Sequence, residues 1–400
     1  MTTQSPDKRP ACGSSLRRGF LGGLLALAVV PLSAEVPTGY QPQDADERGL
    51  WMQMEEAERK LQTSNFVIRD PALNAYITQV FCRTVGTEQC ADVRIYIVRT
   101  PLFNASMAPN GLMMVYSGLL LRMADEAQLA AILGHEYTHY KNQHSLKLFR
   151  DARTKSNAMA WMSVIPVANL AALGAMTVVQ LGMVGSIYSF SRENEAEADD
   201  GSLPLLARAG YDPMAASRVW EQLRAEADAT AAARKVKSRK DKTGGMFGTH
   251  PPTADRMATL AAKARLQTVE GTPALNREQF RQAMAPFWTS FIDDQIKLND
   301  FGATDFLIQN LATDGWTSEL LYARGELYRS RGTPEDLSQA IIYYRQATAL
   351  PDAPHESWRG LGLALLRAGV TEEGRVALKQ YLLLEPDAGD KAMMGMLAGG

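Results

Sequence analysis

Two histidines four residues apart stand in the run His135-Glu136-Tyr137-Thr138-His139. On a helix, residues four apart share a face, so both imidazoles can reach one metal ion. Glu136 then lies beside the water that such a metal activates, placed to take its proton. The pattern is HExxH, whose chemistry is zinc-assisted hydrolysis of peptide bonds. Leu129, Ile132 and Leu133 carry an apolar face into the motif, as a helix requires. Asp125 with Gln128 three residues later resembles a capping box that opens this helix, which is predicted to run past Ser145.

A catalytic zinc needs a third protein ligand and one open position. The segment Ser191-Arg192-Glu193-Asn194-Glu195-Ala196-Glu197-Ala198-Asp199 offers acidic candidates at every second position. Glu195 and Asp199 share one helical face and Glu193 and Glu197 another, so phase alone does not choose between them. The remaining histidines are His144, His250 and His355. His144 is five residues after His139, which turns it off the ligand face and makes it a surface residue or a neighbour of a ligand. His355 is distant from the motif in sequence.

The elements that must position these residues are legible in outline. Residues 44–63 read as a helix with Leu50, Met54, Ala57 and Leu61 on one face, and Asp70-Pro71 starts a second. Val93–Val98 reads as a strand. Phe103–Ala108 and Leu112–Tyr116 flank Pro109-Asn110-Gly111 as a hairpin, and Asn104–Pro109 is a candidate edge strand beside the cleft. Residues 156–191 carry no charge, and 234–245 form a basic run ending in glycines that reads as a solvent-facing loop. Further on, Ala340, Tyr344 and Ala347 recur as Gly374, Leu378 and Tyr381. Leu321, Gly325 and Tyr328 recur as Trp358, Gly362 and Leu365. The offsets place a three-residue insertion in the first turn, around Thr333–Asp336. The spacing resembles a tetratricopeptide pair, with a degenerate unit at 283–315 upstream to complete the stack.

His135–His139, Ser191–Asp199 and Thr249-His250-Pro251-Pro252 together resemble the gluzincin metallopeptidase family of HtpX and the CAAX prenyl proteases. An N-terminal stretch, residues 1–34, that reads as an export signal, together with the repeats, points to its BepA-like periplasmic branch. The resemblance implies Glu195, the start of an ExxxD motif, as third zinc ligand. It implies Asp199 as the carboxylate that orients a ligand histidine. It also implies that His250 occupies the fourth zinc position and holds the enzyme off. A loop-packing or oxyanion role for His250 stays open, and Arg256 is a second oxyanion candidate. The uncharged tract 156–191 falls where membrane members of the family carry spans. It reads either as two helices packed on the protein, as a peripheral membrane contact, or as a membrane anchor.

Composition bounds the rest. The 400 residues are 46% hydrophobic and 22% charged, with net charge −2, so no basic field exists to hold nucleic acid. Lys8, Arg9, Arg17 and Arg18, an apolar run over Leu21–Val30 and Leu32-Ser33-Ala34 read as an export signal. Arg17-Arg18 resembles a twin-arginine element. Removal of that segment leaves Cys82 and Cys90, which read as a disulfide in an oxidising compartment. The expectation is an α+β chain. Residues 1–34 are the export signal. Residues 35–270 form a mainly helical zinc-peptidase domain with a small β-sheet and one Zn2+. Residues 271–400 form an all-α tetratricopeptide-like domain. Protein or peptide substrates and an outer-membrane assembly partner for the repeats complete it. A repeat-based chaperone or adaptor with a latent site is the competing reading.

Overall fold

The computed structural model describes residues 39–155, 190–238 and 253–399. The export signal 1–34, nearly all of the tract 156–191, and Thr249-His250-Pro251-Pro252 lie outside the described residues.

Helix α1 (Ala45–Gln62) begins where the Asp44 carboxylate accepts the backbone N–H groups of Asp46 and Glu47. It buries Leu50, Met54 and Leu61. Asp70 caps α2 (Pro71–Val85) through the N–H of Leu73, with Pro71 in the first turn, where its missing donor costs nothing. Gly86, at φ +105°, ends α2 and opens the short α3 (Thr87–Cys90). That reversal brings Cys82 and Cys90 into a disulfide.

Strands β1 (Arg94–Val98), β2 (Ala105–Met107) and β3 (Leu112–Tyr116) form one sheet in the order β1-β3-β2. β1 lies parallel to β3, with Ile97 opposite Val115. β2 returns antiparallel, with Ser106 opposite Met114. Every residue of β3 is buried, as befits a central strand, and β2 is left at the edge. The strand in the expected hairpin is shorter than Phe103–Ala108.

After the single turn α4 (Ser117–Leu120) comes α5 (Glu126–Lys141). Asp125 accepts the N–H of Gln128 at its start, while the Gln128 side chain bonds the N–H of Ala124. All residues from Glu126 to His139 are buried, so α5 is a central helix with no solvent face. The helix does not run on past Ser145. It stops at Lys141, Gln143 takes the left-handed conformation (φ 54°), and α6 (His144–Lys155) starts in a new direction. Against α5 pack α7 (Arg192–Arg208) and α8 (Ala215–Ala233), followed by α9 (Ala254–Ala264).

The C-terminal part is helical: α10 (Arg277–Met284), α11 (Trp288–Ile296), α12 (Phe301–Leu311), then α13 (Ser318–Arg331) with α14 (Pro334–Thr348), α15 (Glu356–Arg367) with α16 (Thr371–Leu384), and α17 (Lys391–Leu397). A Cβ on Gly325 would stand 2.6 Å from the Tyr344 ring, and one on Gly362 would stand 2.6 Å from Leu378. The two helical pairs therefore cross at equivalent small residues, in the register that the sequence repeat marks. Thr333–Asp336 are not loop. They form the capping box and first turn of α14, so the extra residues lengthen that helix. One core cluster joins Leu129 and Val115 to Phe280, Phe291, Ile308 and Leu327. A second, from Leu321 to Ala377, belongs to the helical pairs. Among the described residues no helix is long and apolar enough to cross a membrane.

Candidate metal centre

Helices α5 and α7 bring the chemistry together. Gly201 permits their approach, because a Cβ there would fall 2.4 Å from Thr138 Cγ2, next to His139 and about one turn from His135. Ser191 caps α7 through the N–H of Asn194 and sets Glu195 and Asp199 on the buried face. His135, His139 and Glu195 each offer a ligand atom, and these atoms lie within 4.8 Å of one another. His135 Nε2 is 3.1 Å from His139 Nε2. Glu195 oxygens stand 3.6 Å from His135 Nε2 and 3.5 Å from His139 Nε2. Ligands at about 2.1 Å from a tetrahedral zinc are separated by about 3.4 Å, so the spacing suits such an ion. The donor set, two imidazoles and a carboxylate, also fits.

The surrounding groups fix that set. Asp199 Oδ1 lies 3.0 Å from His135 Nδ1, so the proton of His135 sits on Nδ1 and Nε2 faces the other ligands. Asp199 is buried, which alone would raise its pKa. The charge of Arg256 and the bond from His135 outweigh burial and hold the carboxyl below its ordinary range. Arg256 comes from the first turn of α9, where Thr253 accepts its N–H. Its guanidinium grips Asp199 with Nε and Nη2, both at 2.7 Å, and reaches Glu195 Oε2 with Nη1 at 3.0 Å. The Trp220 ring on α8 lies against it, 4.0 Å from centroid to Cζ. Arg256 thus braces two acids of the site. Its part was only partly legible in sequence, where it stood as an oxyanion candidate.

His139 is held by Phe190 and His144. The Phe190 ring stacks on it at 4.0 Å with planes 18° apart. His139 Nδ1 lies 2.9 Å from His144 Nδ1, and His144 Nε2 lies 3.0 Å from Glu197 Oε2. His144 is fully buried, not on the surface. The bend at Gln143 returns it to the site; Asn142-Gln143 as a helix stop is the signal that would have found it. Burial pulls the His144 imidazole below its ordinary pKa despite Glu197. Glu136, next to His135 on α5, is buried and close enough to Arg256 for its charge to favour the guanidinium. His355 pairs with Glu385 in the C-terminal helices. His250 lies outside the described residues.

A buried HExxH helix, with a buried carboxylate brought beside it by a second helix, defines a gluzincin-type metallopeptidase domain. The profile of peptidase family M48 matches residues 69–264, and the chain carries a domain of that family. The mitochondrial metalloendopeptidase OMA1 of Schizosaccharomyces pombe is 28% identical over 187 residues, 46% of this chain and 51% of that protein. The beta-barrel assembly-enhancing protease of Escherichia coli is 28% identical over 177 residues, 41% of this chain and 35% of that one. OMA1 of Arabidopsis thaliana is 30% identical over 167 residues, 42% of this chain and 30% of that one. The matches thus span from under a third to about half of these relatives' lengths.

Proposed function

We propose that this chain is an exported zinc-dependent endopeptidase that cuts misfolded or stalled envelope proteins. The observation that carries the reading is the convergence of His135, His139 and Glu195 beside Glu136. Those three residues would hold one zinc ion. Bound there, zinc supplies a Lewis acid that makes water nucleophilic near neutral pH. Glu136 takes the proton of the attacking water and later delivers it to the leaving amine nitrogen. Asp199 keeps the His135 proton on Nδ1, and Arg256 holds Asp199 ionised and both acids in place. An extended substrate adds to the outer edge of β2, where backbone pairing gives low side-chain specificity.

The relatives named as beta-barrel assembly-enhancing protease favour a periplasmic site of action and an outer-membrane assembly partner. The helical pairs from 318 to 384 would serve as a tetratricopeptide docking unit, with the peptidase unit ending near 270. His250 would close the fourth zinc position at rest. An adaptor with a latent site is the second reading, and that closed geometry favours it. An integral membrane peptidase, anchored through 156–191, is the third, and carbonate extraction of the mature chain discriminates it.

Casein cleavage by the zinc-loaded full chain tests the proposal with wild type, Glu136→Gln and His250→Ala in parallel. The expected order is His250→Ala faster than wild type, and Glu136→Gln inactive. A slower His250→Ala would make His250 catalytic. Zinc-bound protein that cuts in no variant would favour the adaptor.

A further inference from the structure

Imidazole has two nitrogens, and a neutral ring presents only one of them as a lone pair. Which one His139 presents is decided by what faces its Nδ1. That partner is an unusual one: a second imidazole, His144, at 2.9 Å, with no carboxylate or carbonyl between. Two neutral rings meeting Nδ1 to Nδ1 must divide the roles, one donating and one accepting. The far end of His144 settles the division. Its Nε2 lies 3.0 Å from a carboxylate oxygen of Glu197, and a carboxylate only accepts. The His144 proton therefore sits on Nε2, and its Nδ1 is a lone pair. His139 must then donate from Nδ1, and its Nε2 is left bare toward His135 and Glu195.

We propose that Glu197 and His144 are positioning residues that act in series to fix the tautomer of His139, so that its Nε2 is the nitrogen offered to the metal. This rests on the zinc reading above. Asp199 does the same for His135 by direct contact. The two histidines are thus set by separate devices, one a carboxylate and the other a carboxylate working through a second ring. The chain of contacts also ties α5, α6 and α7 together at the site, since His144 opens α6 and Glu197 lies on α7. Glu197 is the accessible end, with 57% of its side chain exposed, so its removal leaves the core intact.

The test has two readouts on the full chain. The first uses metal-free protein with 15N-labelled histidine and long-range proton–nitrogen correlation. His144 should appear as the Nε2–H tautomer and His139 as the Nδ1–H tautomer. In Glu197→Ala the His144 signals should move toward a tautomer mixture. The second is Zn2+ affinity by competition with a chromogenic chelator. His144→Leu removes the acceptor and should weaken binding by about tenfold to a hundredfold. His144→Asn places an oxygen acceptor where Nδ1 stood and should restore most of that affinity. Glu197→Ala should weaken binding less than His144→Leu, and it covers the case in which His144→Leu does not fold. An Nδ1–H tautomer for His144 would overturn the proposal. So would His144→Leu binding Zn2+ like wild type, or His144→Leu and His144→Asn weakening it equally. Wild type that takes up no Zn2+ would instead refute the zinc reading, and the tautomer spectrum alone would then decide the role of His144.

Discussion

Glu136 and Asp199 are buried carboxylates that both feel the charge of Arg256, and Asp199 accepts two hydrogen bonds from it. Asp199 is an orienting group, whereas Glu136 is the base in the proposed reaction. Glu136→Gln should therefore keep its zinc and lose about 10²–10⁴ in kcat, measured on a peptide substrate beside metal content. Arg256 meets three carboxylate oxygens with a planar fork, which an ammonium does not reproduce. Arg256→Lys should weaken Zn2+ binding several-fold. Arg256→Ala should also destabilise the fold by about 3–5 kcal/mol, because two buried acids lose their cation. Thermal unfolding with and without Zn2+ checks both. At this scale the sequence displayed the ligand candidates, since HExxH is a spacing rule. It did not display His144–Glu197 or the Arg256 brace. These depend on where a helix stops and on how a later helix returns, and neither has a fixed spacing.

The helices that carry the site meet at a glycine. Gly201→Ala would drive a methyl into Thr138, next to His139 and about one turn from His135. The expected cost is about 1–3 kcal/mol, together with weaker Zn2+ binding. Thr138→Ala should relieve much of it in the double variant, a coupling that a mutant cycle measures. A second test at this scale concerns α11 and α13. Burial, with the nearby charge of Glu326, pushes Asp293 up to about 6 from 3.8. An acid whose pKa rises on folding contributes most below its unfolded value, and the contribution is lost as pH rises through 6. Asp293→Asn should thus be more stable than wild type by about 1–2 kcal/mol at pH 8, allowing for partial exposure, and no more stable at pH 4. Denaturant midpoints at the two pH values decide this. Helix starts were legible from Asp70 and Asp125, because a cap is a local hydrogen bond. The end of α5 carries only the weaker Asn142-Gln143 stop, with no glycine or proline to mark it. A chain buried all round has no polar face to show where it leaves the core.

Across the molecule, the apolar core of the peptidase helices continues past residue 270. Phe280, Phe291 and Ile308 pack in the same cluster as the peptidase helices, while the later pairs have a core of their own. A chain ending at 270 should be insoluble or partly unfolded by circular dichroism. The small-residue crossings at Gly325 and Gly362 show why the repeat was readable: each needs a residue without a side chain facing a large one. The mixed helical and β class was legible too, since the strand patterns and the helical spacings are separate signals.

In the proposed working state, one zinc is held by two histidines and a glutamate and used for peptide hydrolysis. The direct measurement is zinc content per chain, by elemental analysis, alongside casein cleavage in the same samples of wild type, Glu136→Gln and Glu195→Ala. Wild type should hold one zinc, Glu136→Gln one zinc without cleavage, and Glu195→Ala should lose both. Full zinc content in Glu195→Ala, or undiminished cleavage by Glu136→Gln, would contradict it.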